Sequence, residues 1–365
     1  MVKVLITGGG TGGHLMPALA IAETLREIAP DVEPVLVGAK RGIEAKILPE
    51  RDDFRYHLLP TRPIFRNRIW RNIPWVWWAP ELLLLALKIV RKERPQAVVG
   101  TGGYASGPVL LAAKLLRIPY ALQEQNAMPG ITTRMLARSA RQIHLGFEGA
   151  GAFLHAGKNT KLHAFGNPVA TKPIADADRI AARKSLGLGS DERVLFVMGG
   201  SQGALAINSA VSDALEAGLF GDAKILWSVG AGMWERYKHH DSNPQVTAKP
   251  FWQPVRTAYA AADLVVARAG AMTTAELCVC GLPSILIPLP SAAADHQTEN
   301  AKALEEAGAA LHLAQADLSP QVLARQVNSL LPDTDKLDSM AQQAQKLGQP
   351  DAVRRIVEAI LSLVR

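Results

Sequence analysis

The residues best able to do chemistry in this chain of 365 sit in or just behind two glycine-rich turns. The first reads VLITGGGTGGH (4–14) and the second VLFVMGGSQGA (194–204). Each follows a short apolar run and precedes a stretch with helical apolar spacing, so each is a strand–turn–helix device. Such a turn presents backbone N–H groups at a helix N-terminus, where the partial positive charge favours phosphate. His14 closes the first turn. A histidine there can take a proton from a hydroxyl, because the ordinary imidazole pKa lies near working pH; the plainer alternative is a helix-start residue bound to a carbonyl. Ser201 adds a hydroxyl to the amides of the second turn, a neutral donor set suited to a diphosphate.

Behind the second turn, ARAGAMTTAELCVCGLP (267–283) repeats the strand, tight turn and helix. Its Glu276 can accept from two vicinal ribose hydroxyls; the competing reading is an acid serving the helix dipole. SAAADHQTENA (291–301) is a polar loop entering a helix, with Asp295, His296, Gln297 and Asn300 clustered. Asp295 and His296 could be taken for a metal pair, but no partner at ligand spacing stands elsewhere. His239 and His240 read as a solvated surface pair, so no metal is expected.

Taken alone, Gly8-x-Gly10-x-x-Gly13 also fits dinucleotide binding, which asks for an acid at the end of the second strand to hold a ribose. Here that strand runs into Val37-Gly38-Ala39-Lys40-Arg41, without an acid. Lys40 or Arg41 could serve a 2′-phosphate instead, so the dinucleotide reading is weakened rather than removed.

Arg62–Arg94 stands apart from the rest. Four of the seven tryptophans fall in 70–78, four arginines in 62–71, and a leucine run at 82–85. Pro80, Glu81 and Lys88 interrupt the apolar run, which is too short to span a bilayer. Arg66, Arg68, Arg71, Trp70, Trp75, Trp77 and Trp78 beside leucines suit an interfacial surface; a core helix with an aromatic lead-in fits equally well. Nucleic acid fits less well, because leucines add nothing to phosphate or base contact. The charge agrees with an anionic surface as partner. The chain carries +7, and residues 1–165 hold 22 Lys+Arg against 12 Asp+Glu.

These residues need a scaffold of alternating strands and helices, which implies parallel sheets covered by helices. Strands are predicted at 2–7, 35–37, 97–99 and 120–122, and again at 194–198, 224–229, 264–267 and 284–288. The Gly- and Pro-rich segment 163–178 reads as a linker. The chain therefore divides into an N-terminal domain (1–165), a C-terminal domain (166–345) and a final stretch (346–365). The amphipathic helix at 351–364 either closes the second domain or straps back onto the first. Met1 leads straight into a strand, so no signal peptide is expected. Cys278 and Cys280 build neither a disulfide framework nor a metal knot, and a reducing cytoplasm is the natural setting.

In order, GGGTGGHLMPALAIA, TGGYASGP, EQNAMPG, GNPV, GGSQGA, RAGAMTTAEL and ADHQTENA resemble one family, and they span residues 4–301. It is the MurG family of UDP-N-acetylglucosamine–N-acetylmuramyl-(pentapeptide) pyrophosphoryl-undecaprenol N-acetylglucosaminyltransferases. The resemblance implies an α/β GT-B fold, two Rossmann-like domains facing a deep cleft. It implies transfer of GlcNAc from UDP-GlcNAc to the C4 hydroxyl of MurNAc in lipid I, with inversion, to give lipid II for peptidoglycan and so for cell shape and division. No cofactor and no metal are implied.

Carried over by position, Thr11, Gly12 and Gly13 belong to the sugar and diphosphate region, with His14 as base, and Asn126 contacts the GlcNAc. Ser201 meets the diphosphate and the backbone at Trp252 the uracil edge. Ala271, Met272, Thr273, Thr274, Ala275 and Glu276 form the nucleotide turn, and Gln297 contacts the sugar. The implied partners are UDP-GlcNAc, lipid I, the anionic membrane surface at the cytoplasmic face of the bacterial inner membrane, and other cell-wall enzymes. The family follows GNPV with arginine where this chain has Ala170, leaving a contact to Lys172 or to none. It has histidine where this chain has Gln123. A UDP-GlcNAc 2-epimerase, a diacylglycerol glycosyltransferase and a non-enzymatic nucleotide-sugar scaffold at the membrane are the competing readings.

Overall fold

The computed structural model describes residues 1–61, 75–200, 202–292 and 295–364, with only the backbone of 75–77. They form two compact units, one of residues 1–170 and 351–365 and the other of residues 171–350.

In the first unit, the strands are β1 (Val2–Gly9), β2 (Val32–Ala39), β3 (Arg55–Leu59), β4 (Ala97–Gly102), β5 (Tyr120–Glu124), β6 (Gln142–Leu145) and β7 (Lys161–His163). They pair in parallel in the order β3-β2-β1-β4-β5-β6-β7. The second unit holds β8 (Val194–Met198), β9 (Lys224–Ser228), β10 (Val246–Lys249), β11 (Leu264–Ala267), β12 (Ser284–Leu286) and β13 (Ala310–His312). Their order is β10-β9-β8-β11-β12-β13, again parallel.

Each sheet is thus wound outward in both directions from its first strand. Where the direction reverses, beside β1 and β8, the crossover helices leave to opposite faces and open a crevice at the strands' C-terminal ends. Every glycine-rich motif of the chain lies at such an end. The first follows β1 and leads into α1 (Gly12–Ile28), and TGGYASGP follows β4 into α4 (Gly103–Leu115). GGSQGA follows β8 into α7 (Leu205–Glu216), and RAGAM follows β11 into α10 (Ala271–Cys280).

The central strands β1, β4, β8 and β11 are near-continuous apolar runs because both faces are covered. Val4, Leu5, Ile6, Val98, Val99, Leu195, Phe196 and Val266 are all fully buried. Predicted strands at these places agree with the observed ones. The sequence reading misses β3, β6, β7, β10 and β13. Four of these are the sheet edges, where one side meets solvent and the apolar signal is diluted. It also ends the linker too late, since α6 (Asp176–Ser185) begins inside it.

The final helix, α14 (Ala352–Leu361), belongs to the first unit. Its Ile356, Val357 and Ile360 are fully buried in one cluster with Leu15, Ile21 and Leu25 of α1. Gln142 donates from Nε2 to the Ala359 carbonyl at 3.0 Å, and the Arg355 guanidinium lies 4.7 Å from the Phe165 ring centre. Ile356→Ala should therefore destabilise the first unit by about 2–5 kcal/mol, the range for emptying a tight apolar site. Urea denaturation measures this; a loss below about 1 kcal/mol would mean that the site collapses around the gap.

Candidate functional site

In the first unit, the turn after β1 meets the turn after β4. Gly9 pairs with Gly103, and Thr101, at the end of β4, donates from Oγ1 to the His14 carbonyl at 2.7 Å. The His14 Nδ1 stands 3.0 Å from the Thr101 carbonyl oxygen and 3.3 Å from Gln125 Oε1. Gln125 donates from Nε2 to the Gln123 carbonyl at 3.0 Å, which fixes its amide with Oε1 toward the imidazole. Both neighbours of Nδ1 are acceptors, so the network assigns the proton to Nδ1 and the lone pair to Nε2. In that tautomer Nε2 is the basic nitrogen of the ring. The ring fits because Gly102 and Gly103 carry no side chain. Both have positive φ, and a Cβ on Gly102 would lie 2.9 Å from Nδ1. Thr101 and Gln125 were not singled out from the sequence, although TGG at the end of a buried strand was a signal.

Thr11 is exposed at the head of α1, and Gly12 and Gly13 form its first turn. Asn126 is half-buried, its backbone N and Nδ2 donating to Glu124 Oε1 at 3.2 and 3.3 Å. The other oxygen of Glu124 accepts from the Gly130 N–H (2.9 Å) and Thr133 Oγ1 (2.6 Å), so one buried carboxylate holds the whole EQNAMPG loop. Gln123 points into the interior, with both side-chain polar atoms buried and without hydrogen-bond partners.

In the second unit, a cavity of about 540 Å³ opens at the C-terminal ends of β8 and β11. Gly199, Gly200, Gly203, Arg268, Thr273 and Gln297 line it. Arg268, which the sequence reading passed over, is tied at 3.1 and 2.9 Å to the carbonyls of Ile287 and Pro288 and at 2.7 Å to Gln315 Oε1. No carboxylate neutralises it among these contacts, and burial lowers its pKa. A cation so held beside amides at the head of α7 suits an anion. Its position directly after a buried strand was the available signal.

Of the predicted turn on α10, Thr273 reaches the cavity, but Thr274 is buried and donates to the Ala271 carbonyl at 3.0 Å. The Thr274 side chain therefore ties the first turn of its own helix. Ala271 is buried, and Met272 and Ala275 are half-buried. Glu276 stands in the second turn of α10, whose first turn holds no acid, so the dipole reading fails. Its Oε2 accepts from the Tyr259 hydroxyl at 3.0 Å. Burial raises the pKa of both, and that of Tyr259 lies well above its usual range. No sequence signal linked Tyr259 to Glu276, since the pair forms only when α9 (Val255–Ala261) packs on α10.

Gln297 accepts at Oε1 from the Leu289 N–H at 2.9 Å. Trp252 is buried, with Lys249 Nζ 4.2 Å from its ring centre. Lys172 is exposed and does not line the cavity. Ser201 lies outside the described residues.

His239 and His240 are not a solvated pair. His240 is buried, with Nε2 2.8 Å from Ser212 Oγ and its ring 5.5 Å from that of Trp227. With Glu216 they bring ligand atoms within 4.8 Å of one another, the one such group among the described residues. The expectation that nothing in the chain has ligand spacing is corrected accordingly.

The helix α3 (Trp75–Glu93) fits both readings of its segment. Leu82, Ala86 and Val90, at helical spacing, are buried, Ala86 and Val90 in one cluster with Leu5, Val35 and Leu110 of the first unit. On other faces Leu84 is 67% exposed, and Leu115 of the adjoining α4 is 57% exposed. Met135, on α5 (Ile131–Leu136), is 75% exposed. A second cavity, of about 570 Å³, is lined by Lys114, Arg117, Arg138, Arg141 and Lys158 and by no acid. Arg66, Arg68, Trp70 and Arg71 lie outside the described residues, as do the side chains of Trp75 and Trp77; Trp78 is half-buried. Among the described residues, no helix is long and apolar enough to cross a membrane.

Comparison with known proteins places this geometry. Residues 4–145 match the glycosyltransferase family 28 N-terminal domain and residues 194–356 its C-terminal domain. The chain is 41% identical to a UDP-N-acetylglucosamine–N-acetylmuramyl-(pentapeptide) pyrophosphoryl-undecaprenol N-acetylglucosamine transferase of Moorella thermoacetica, over 100% of this chain and 99% of the relative. It is 41% identical to the protein of the same name from Chlorobaculum parvum, over 99% of each. The crystal structure of Acinetobacter baumannii MurG superposes with a TM-score of 0.77 at 27% identity, covering 99% of this chain and 100% of that one. The two Rossmann-like units are those of a GT-B glycosyltransferase, and the chain belongs to the MurG family.

Proposed function

We propose that the chain transfers GlcNAc from UDP-GlcNAc to the C4 hydroxyl of MurNAc in lipid I, giving lipid II and UDP with inversion at the anomeric carbon. Full-length similarity to transferases of that name carries the reading. The tautomer of His14 supports its chemistry. Nδ1 donates to Thr101 and Gln125, so Nε2 can accept the hydroxyl proton as the C4 oxygen bonds to the anomeric carbon. The bond from that carbon to the diphosphate oxygen breaks, and its electron pair leaves on UDP. Charge developing there is met by donors of the second glycine turn, with Ser201 among them, and by the Arg268 guanidinium, which its own hydrogen bonds hold in place. Glu276 takes the ribose hydroxyls, oriented by Tyr259. The backbone at Trp252 reads the uracil, and Asn126 and Gln297 hold the sugar.

The acceptor keeps its undecaprenyl chain in the bilayer, so the enzyme must work at a membrane surface. Exposed Leu84, Leu115 and Met135 and the acid-free basic cavity supply apolar and cationic contacts to an anionic leaflet. This makes the chain a peripheral protein of the cytoplasmic face, where other cell-wall enzymes share its substrates.

UDP should appear from UDP-GlcNAc only when a lipid I analogue is supplied. An epimerase would alter the donor without an acceptor, a diacylglycerol glycosyltransferase would use diacylglycerol, and a scaffold would release nothing. His14→Ala should lower kcat by about 10²–10⁴-fold, the usual worth of a general base, with UDP affinity kept; near-parental turnover removes the base assignment. Glu276→Ala should weaken UDP binding by about 10–100-fold, as expected for hydrogen bonds to a charged group. Tyr259→Phe should weaken it less, and unchanged affinity in both by calorimetry overturns the ribose role. Leu84→Asp with Leu115→Asp should cut binding to anionic vesicles about tenfold or more, given the apolar burial each forfeits. Sedimentation with anionic vesicles reads this, and undiminished binding excludes that face.

A further inference from the structure

The acid missing from the end of β2 stands a few residues later, and it points under the first glycine turn. Glu44 opens α2 (Glu44–Ile47), and its side chain is fully buried. Its Oε1 accepts the backbone N–H of Gly10. Three glycines make the room. A Cβ on Gly9 or Gly42 would overlap the carboxyl, and one on Gly38 would press on the side-chain stem. The Tyr104 ring also packs on Gly10, where a Cβ would overlap it, so both a carboxyl and an aromatic ring hold the turn. The second carboxyl oxygen is buried without a hydrogen-bond partner. Burial raises the pKa, favouring the neutral acid. A half-paired buried carboxyl costs stability, and an apolar side chain of like size would not carry that cost.

The gripped residue is followed at once by Thr11, whose carbonyl accepts from the His14 N–H at 3.1 Å. The path from Glu44 to the imidazole is therefore Gly10, Thr11 and the first turn of α1. We propose that Glu44 is a positioning residue for the transfer: by holding Gly10 it sets the height and direction of the α1 head, and with it the place of the His14 ring against Thr101. This rests on the reading of His14 as the base. A displacement of about 1 Å at a reacting group is enough to cost up to about 10²-fold in rate.

Glu44→Met keeps the volume and removes the acceptor, while Glu44→Gln keeps a carbonyl oxygen for Gly10. With a soluble lipid I analogue, Glu44→Met should lower kcat about tenfold or more with its UDP affinity, read by calorimetry, within about twofold of the parent. Glu44→Gln should retain most of the parental kcat. In the Glu44→Met/His14→Ala double variant, the Glu44 change should add little to the loss from His14→Ala, because both act at one place. Parental kcat in Glu44→Met, or a double variant slowed by the full product of the two effects, overturns the proposal. Should Glu44→Met fold poorly, Glu44→Leu takes its place in the single and double variants with the same outcomes, and a Glu44→Gln kcat as low as that of His14→Ala refutes the role of the carbonyl acceptor. Parental turnover in His14→Ala would instead remove the base reading and leave the Glu44 effect to be read by itself.

Discussion

In both units, function depends on the reversal of strand order beside the first strand of a parallel sheet. Helices depart to opposite faces on either side of β1 and β8, so the backbone at the strand ends is left uncovered there. Only a chain that turns sharply can go from strand to helix at that place, and glycine permits the turn. The motifs after β1, β4, β8 and β11 are four uses of this one constraint. They stand where a ligand can reach them because no crossover connection passes over them.

The two units then use the same opening differently. After β8 the turn leaves a cavity, backed by Arg268, whose guanidinium is tied to carbonyls and paired with no acid in those contacts. After β1 the space beneath the turn is occupied from inside by Glu44, and the ring of Tyr104 packs on Gly10 as well. A turn packed on a buried carboxyl is a stiff mount for a side chain, and His14 is the side chain it carries. A shared Gly-Gly-x-x-Gly spacing thus stands over a cavity in one unit and over a buried carboxyl in the other.

Much of this was legible in the sequence, for identifiable reasons. The central strands announce themselves because burial on both faces demands apolar residues throughout. The glycine turns announce themselves because few other residues tolerate that backbone. The edge strands did not, since Arg55–Leu59 and Lys161–His163 mix polar and apolar residues on half-covered surfaces. Side-chain partnerships were invisible wherever packing creates them. Tyr259 meets Glu276, and Gln125 meets His14 across 111 positions of chain, only after the sheets form. His240 looked like surface because its neighbour is polar, yet Ser212 and Trp227 enclose it. The segment 62–94 suggested either a core helix or an exposed surface. A helix has room for both, with Leu82, Ala86 and Val90 on one stripe and Leu84 on another.

The return of α14 to the first unit makes the second unit an insertion, bounded at 170–171 and 350–351. Synthesis runs from the N-terminus, so the whole of residues 171–350 leaves the ribosome before the helix that covers α1 exists. The second unit, being continuous, can complete its core while the first still exposes the apolar stripe meant for Ile356, Val357 and Ile360. The nascent chain therefore carries an uncovered apolar strip while residues 171–350 are made, the kind of surface that draws chaperones. The helix that completes the first unit is made only after the second, so a chain cut short before residue 351 lacks the closure of the unit that precedes the insertion.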